Sequence, residues 1–77
     1  MTPEELRNRT QQFALRVIKL TSVLPKGTVG DVIGRQLVRS ATSVGANYRS
    51  ACTSQSTATF RHKLSIVVEE ADETLYW

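Results

Sequence analysis

Residues 29–48 read V-G-D-V-I-G-R-Q-L-V-R-S-A-T-S-V-G-A-N-Y, and this stretch decides the fold. Its apolar residues recur at spacings of four, four, three and four, which is the repeat of one helix face and not the alternation of a half-buried strand. They are Ile33, Leu37, Ala41, Val44 and Tyr48. We therefore predict a central helix over about residues 29–50, with Thr28 as its N-cap and Asp31 in its first turn.

The second half of this helix is rich in small residues, among them Ser40, Ala41, Ser43 and Gly45. A glycine inside a helix costs about 1 kcal/mol relative to alanine, so Gly45 needs a structural reason. Small side chains let another helix approach closely. We interpret them as a tight helix crossing, either within the bundle or between subunits.

The segment before the central helix predicts a first helix over about residues 3–24. Thr2 and Glu5 form a capping box, and Pro3 suits the first helical position. Pro25 and Gly27 end the helix and leave a short connection, which implies antiparallel neighbours. The apolar stripe of this helix consists of Leu6, Phe13, Val17, Leu20 and Leu24.

A hydroxyl-rich segment at 53–57 separates the central helix from a third helix, predicted over about residues 57–77 with its start at Ser56 or Thr57. The third helix carries an apolar stripe of Phe60, Leu64, Val67, Ala71 and Leu75, which Val68 widens. The fold class is therefore all-α. We predict one domain over residues 1–77, an antiparallel up-down bundle with three helices.

Acidic residues crowd the last turns of the third helix, at the negative end of its dipole. No glycine, proline or basic last turn ends this helix before Trp77. We expect that the helix continues in a longer parent protein, so that the chain is a truncated four-helix bundle, and that basic residues neutralise the acids. Antiparallel pairing places Arg35 and Arg39 opposite Glu69, Glu70 and Glu73, and we expect interhelical ion pairs there.

Composition excludes several classes of protein. The only cysteine, Cys52, allows no intrachain disulfide, and the sequence contains neither an apolar run long enough to cross a membrane nor a signal peptide. We therefore predict a cytoplasmic protein with no membrane partner. One histidine and one cysteine do not make a metal site, and there is no glycine-rich phosphate loop, so we expect no cofactor and no enzymatic activity.

The net charge of +3 is predicted to concentrate at one end of the bundle. Antiparallel packing brings together the start of the first helix, the end of the central helix and the start of the third. For Arg49, Arg61 and Lys63 a solvated surface is the leading interpretation, and phosphate binding is the second, because clustered basic side chains supply the electrostatic part of nucleic-acid affinity. The candidate nucleic-acid-binding residues are Arg7, Arg9, Arg49, Arg61, His62 and Lys63.

Two stretches, Q-L-V-R-S-A-T-S-V-G-A-N-Y at 36–48 and F-R-H-K-L-S-I-V-V-E-E-A-D-E-T-L-Y-W at 60–77, resemble a bacterial four-helix-bundle family. Its members were first noted as open reading frames within intervening sequences of large-subunit ribosomal RNA genes. The resemblance implies an antiparallel four-helix bundle, ring-shaped homopentamers and no enzymatic activity. Members of the family commonly carry a proline at the position of Gly45.

These observations support two main functional hypotheses. The first is a non-enzymatic homo-oligomer that binds nucleic acid, RNA rather than DNA, at the basic end. The alternative is an adaptor that binds a larger partner protein through apolar side chains such as Tyr48, Tyr76 and Trp77. An enzyme that uses Cys52 and His62 is a third and weaker hypothesis.

Overall fold

The structure is a computed structural model that describes residues 1–77 and contains three α-helices and no strand. Helix α1 spans Pro3–Thr21, α2 spans Thr28–Cys52 and α3 spans Thr57–Tyr76. The prediction of an all-α fold is confirmed.

The helices run antiparallel with α2 between α1 and α3, and we call this arrangement the layer. Helix α2 packs against both neighbours, whereas no Cα atom of α1 comes within 8 Å of a Cα atom of α3. The chain measures 44 × 20 × 15 Å. The longest dimension is close to the length that 25 residues of helix require, about 38 Å.

Local sequence explains both ends of α1. The Thr2 hydroxyl accepts a hydrogen bond from the Glu5 backbone N–H at 3.1 Å, as the capping box predicts. The helix ends at Thr21, three residues before the predicted end at Leu24. Residues 22–24 form a tighter turn, because helical conformation is disfavoured at Leu24, directly before Pro25.

The start of α2 differs from the prediction. Thr28 is the first helical residue, and the N-cap is Gly27, whose φ of 133° lies in a region that residues with a Cβ rarely adopt. The chain reverses direction between Pro25 and Thr28 and adopts this conformation at Gly27. Because glycine has no side chain, no side-chain hydrogen bond caps the start of α2. At the start of α3, the Ser56 hydroxyl accepts from the Thr59 N–H at 3.1 Å, so Ser56 is the N-cap and the helix begins at Thr57, one of the two predicted starts.

The core lies between α1 and α2. Val17, Leu37 and Ala41 form its buried centre, and the partly buried Leu24 and Ile33 pack against them. In the predicted α2 stripe, Ile33 is partly buried, and the other four residues, Leu37, Ala41, Val44 and Tyr48, are buried. This confirms which face of α2 turns inward.

Small residues form close crossings on both sides of α2. On the α1 side, Gly45 faces Thr10, where an added Cβ would lie 3.4 Å from the Thr10 hydroxyl oxygen. On the α3 side, Ser40 and Thr74 are both buried, and their hydroxyl oxygens lie 2.9 Å apart. The small residues of α2 therefore form helix crossings within the bundle, which is one of the two predicted alternatives.

The predicted stripe of α3 is partly wrong. Leu75 is 86% exposed and Val68 is also exposed, whereas the neighbouring Thr74 takes the inward position. Because α3 packs against α2 alone, only a narrow face is buried, and a stripe inferred from hydrophobicity is wider than that face. The same packing leaves Phe13, Leu20 and Phe60 partly exposed.

Candidate nucleic-acid interface

The basic residues predicted at one end of the bundle do lie there. Thr10 near the start of α1 faces Gly45 of α2, and Lys63 near the start of α3 donates a hydrogen bond to Ser50 of α2. These contacts show that the start of α1, the end of α2 and the start of α3 share one end of the layer.

Two of the six candidates line the same groove. Arg7 of α1 and Arg49 of α2 lie on either side of a groove of about 720 Å³ between these helices. Neither guanidinium forms an ion pair, since the only ion pairs in the protein are those of Arg39. Glu4 also lines the groove and reduces its charge to a net +1. The other lining residues are Asn8, Thr10, Gln11, Ala14, Thr42, Gly45, Ala46 and Thr53.

The other four candidates lie apart from this groove. Lys63 is half-buried and its ammonium group is bound to the Ser50 hydroxyl. Arg9, Arg61 and His62 are exposed, but none of them lines the groove. The six residues therefore share one end of the layer without forming one continuous surface.

Three threonines line the groove that were not among the residues predicted from the sequence. Thr10 and Thr42 donate their hydroxyl hydrogens to the carbonyl oxygens of Arg7 and Val38, at 2.9 and 2.7 Å. Thr53 donates to the Ser50 carbonyl at 3.0 Å. The antiparallel pairing of α1 and α2 indicated that these segments lie side by side, but it did not show which faces line the groove.

At the opposite end, only one of the two arginines expected to pair with the acids of α3 does so. Arg39 binds Glu70 at 3.3 Å and also forms an ion pair with Glu73. The prediction for Arg35 is wrong. Because Ser40 lies opposite Thr74 in the antiparallel pair, a residue five positions before Ser40 lies past Tyr76, the last residue of α3, and so out of reach of the acids.

Replacing Glu73 with glutamine is expected to make stability less dependent on acidic pH. The hydrogen bond from Arg39 is the main cause that lowers the pKa of Glu73, and a second hydrogen bond from Trp77 acts in the same direction. A lowered folded-state pKa stabilises the fold above the ordinary carboxyl pKa of about 4.3, and this contribution is lost as pH falls through the lowered value.

The measurement is urea unfolding of the wild-type protein and the Glu73→Gln variant at neutral and at strongly acidic pH. The difference between the two proteins should be present at neutral pH and absent in acid. An equal difference at both pH values would contradict the role of the ion pair.

The pair of residues considered for catalysis is not assembled. Cys52 lines a shallow hollow with Ser56 and Phe60, and His62 does not line it. The neighbour of Cys52 is Tyr48 instead: a hydrogen bond with the Cys52 thiol, together with burial, raises the pKa of the Tyr48 hydroxyl. This arrangement has no histidine to act as a base for the thiol.

Two further structural findings concern metals and membranes. Nowhere in residues 1–77 do three or more His, Cys, Asp or Glu side chains come close enough to hold a metal ion. None of the three helices has the length and hydropathy that crossing a membrane requires.

Comparisons with known proteins agree on one relationship. A family described as 23S rRNA-intervening sequence protein matches residues 4–77. A crystal structure of a protein of unknown function from the S23 ribosomal protein family of Bacteroides thetaiotaomicron is 39% identical. It superposes with a TM-score of 0.89, and the match covers 100% of this chain and 69% of that chain. A comparison with curated proteins found no match. The match over nearly the whole chain, together with the shared fold, shows that this chain belongs to the 23S rRNA-intervening sequence protein family.

Proposed function

We propose that this protein is a non-enzymatic RNA-binding protein that holds phosphate groups at the basic end of its helical layer. The observation that carries the proposal is the groove between α1 and α2, where Arg7 and Arg49 lie on different helices and neither has an ion-pair partner. Arginine binds phosphate through two parallel N–H donors, and such contacts supply most of the non-specific affinity of proteins for nucleic acids.

The rest of the molecule is compatible with this role. Arg9, Arg61 and His62 are exposed at the same end and would add long-range attraction for a polyanion. Arg39, by contrast, is held by Glu70 and Glu73 and is not free to bind phosphate. The family description refers to 23S rRNA, which makes a ribosomal RNA hairpin a reasonable first probe.

We extend the proposal to a homo-oligomer. This arrangement of helices leaves apolar side chains of α1 such as Phe13, Ile18 and Leu20 exposed, and a second copy would cover them. Repeating the groove in each subunit would multiply a weak site into a stronger one.

The test compares two double variants that change the same charge on the same two helices. Arg7→Glu with Arg49→Glu alters the groove, whereas Arg16→Glu with Arg35→Glu alters α1 and α2 outside the groove. Binding of a fluorescent RNA hairpin is followed by anisotropy over a range of salt concentrations. The native mass of each preparation, with and without RNA, reports assembly.

We expect the groove variant to lose about tenfold or more in affinity. Its salt slope should also become shallower, by about 0.7–0.9 per lost phosphate contact. The control should lose clearly less. Affinity that does not depend on salt, or equal losses in both variants, would overturn RNA binding at the groove, and a bare monomer in every preparation would overturn the homo-oligomer.

The adaptor remains the second candidate, because Val68, Leu75 and Tyr76 expose apolar surface on α3. A partner protein bound at this surface would be insensitive to salt. Its binding would be weakened by Leu75→Ser and not by changes in the groove.

A further inference from the structure

We infer that the groove between α1 and α2 distinguishes RNA from DNA by accepting hydrogen bonds from ribose 2′-hydroxyl groups. The acceptors are the hydroxyl oxygens of Thr10, Thr42 and Thr53. This inference rests on the proposed function, because it assumes that Arg7 and Arg49 hold the phosphates of the same strand.

The threonine hydroxyls are acceptors because their hydrogens are already used. Each hydroxyl lies 2.7–3.0 Å from a backbone carbonyl oxygen of its own helix, and a carbonyl oxygen can only accept. The hydroxyl must therefore donate its one hydrogen to the helix. Its oxygen lone pairs remain available, and all three threonines line the groove.

The positions of these residues match the spacing of a helix face. On α1, Thr10 follows Arg7 by three residues. On α2, Arg49 follows Thr42 by seven residues, which places both on one side of the helix, and Thr53 is the C-cap residue directly after the last turn. Each arginine is thus flanked by at least one threonine acceptor within the groove.

Gly45 keeps one of these acceptors accessible. A Cβ at this position would lie 3.4 Å from the Thr10 hydroxyl oxygen and would cover part of it. Thr10 and Gly45 both line the groove, so a side chain at Gly45 would reduce access to Thr10 from the α2 side.

The chemistry of the groove fits an RNA backbone better than a DNA backbone. Guanidinium donors suit the phosphates of both nucleic acids. The sugar–phosphate backbone of DNA offers only acceptors, whereas every ribose adds a hydroxyl that can donate. A row of acceptors beside two arginines therefore has a partner in the RNA backbone and none in the DNA backbone.

The groove has no aromatic side chain on which bases could stack. None of its eleven lining residues is aromatic. Stacking on aromatic side chains is the usual source of affinity for unpaired bases. Recognition here is therefore directed to ribose and phosphate and is independent of sequence.

The test uses three single-stranded probes that differ only at the 2′ position: oligouridylate, its 2′-deoxy form and its 2′-O-methyl form. A length of about 12 nucleotides is within the range of single-strand sites. We expect the wild-type protein to bind the ribose form about fivefold or more tightly than the deoxy form, as a few net hydrogen bonds would provide. The 2′-O-methyl form keeps the oxygen and loses the hydrogen, so it should bind like the deoxy form.

Valine substitutions at Thr42 and Thr53 keep the shape of the side chains and remove the acceptors. Because the double variant keeps the Thr10 acceptor, it should lose most but not all of the preference for the ribose form, with affinity for the deoxy form unchanged. The matched control is Thr21→Val, because Thr21 makes the same bond to its own helix, to Ile18, but lies outside the groove. Thermal unfolding confirms that each variant is folded.

The outcomes separate this inference from the function on which it rests. Equal binding of the three probes, with loss of affinity in the Arg7→Glu/Arg49→Glu variant, would overturn ribose recognition and leave phosphate binding intact. Tight binding of the 2′-O-methyl form would overturn the donor role of the 2′-hydroxyl. Failure to bind any probe or the RNA hairpin would overturn both proposals.

Discussion

Replacing Gly30 with alanine is expected to destabilise the protein by about 3 kcal/mol, the upper end of the usual range for overpacking. Gly30 lies in the first turn of α2, where the connection from α1 passes over it. A Cβ at this position would overlap the Pro25 carbonyl oxygen and would lie 3.2 Å from the Pro25 carbonyl carbon. Both atoms belong to the backbone, so relief requires the connection itself to move, and this outweighs the gain of about 1 kcal/mol in helix propensity.

Gly34, one turn further along α2, is the matched control. A Cβ there would meet only side-chain atoms of Leu24 and Thr21, at 3.6 Å or more, which is ordinary contact. Gly34→Ala should therefore stabilise the protein by up to about 1 kcal/mol. Urea unfolding of the two variants measures both effects, and a stabilising Gly30→Ala substitution would show that the connection does not press on α2.

Replacing Leu37 with alanine is expected to reduce the free energy of unfolding by about 2–5 kcal/mol. Leu37 is 7% exposed and lies at the centre of the core with Val17 and Ala41. Only eight of the 77 residues are buried, so few neighbours can move to fill the space. Since a domain of this size is commonly stable by only about 4–12 kcal/mol, the variant should be close to unfolding.

Leu75→Ala provides the same chemical change on the surface. Leu75 is 86% exposed, and removing its side chain should alter stability by no more than about 0.5 kcal/mol. Thermal unfolding should then show a large decrease in melting temperature for Leu37→Ala and almost none for Leu75→Ala. Similar decreases would contradict the exposed position of Leu75, and a small loss for Leu37→Ala would contradict its place in the core.

Much of the fold follows from local patterns. The repeat of Leu37, Ala41, Val44 and Tyr48 identified the inward face of α2, and all four are buried. The starts of α1 and α3 were likewise readable from Thr2 and Ser56, because a cap forms between residues that are neighbours in sequence. The antiparallel order followed from two short connections.

The candidate site was predicted only in part. Antiparallel order was enough to bring Arg7, Arg49, Arg61 and Lys63 to one end of the layer. It could not show that Arg7 and Arg49 line one groove while Lys63 is bound to Ser50. The acceptor threonines were missed for the same reason, since a threonine within a helix carries no sign of what its hydroxyl oxygen faces.

Local sequence patterns were sufficient to predict three helices, their order, the buried face of α2 and the end of the layer where positive charge collects. The packing of the helices was needed to show that Thr74 and not Leu75 faces α2, that Arg39 and not Arg35 meets the acids, and that Gly30 lies under the Pro25 carbonyl. Helical periodicity determines which residues share a face. The rotation and register of that face against its neighbour depend on contacts between residues more than ten positions apart, such as the hydroxyl pair of Ser40 and Thr74.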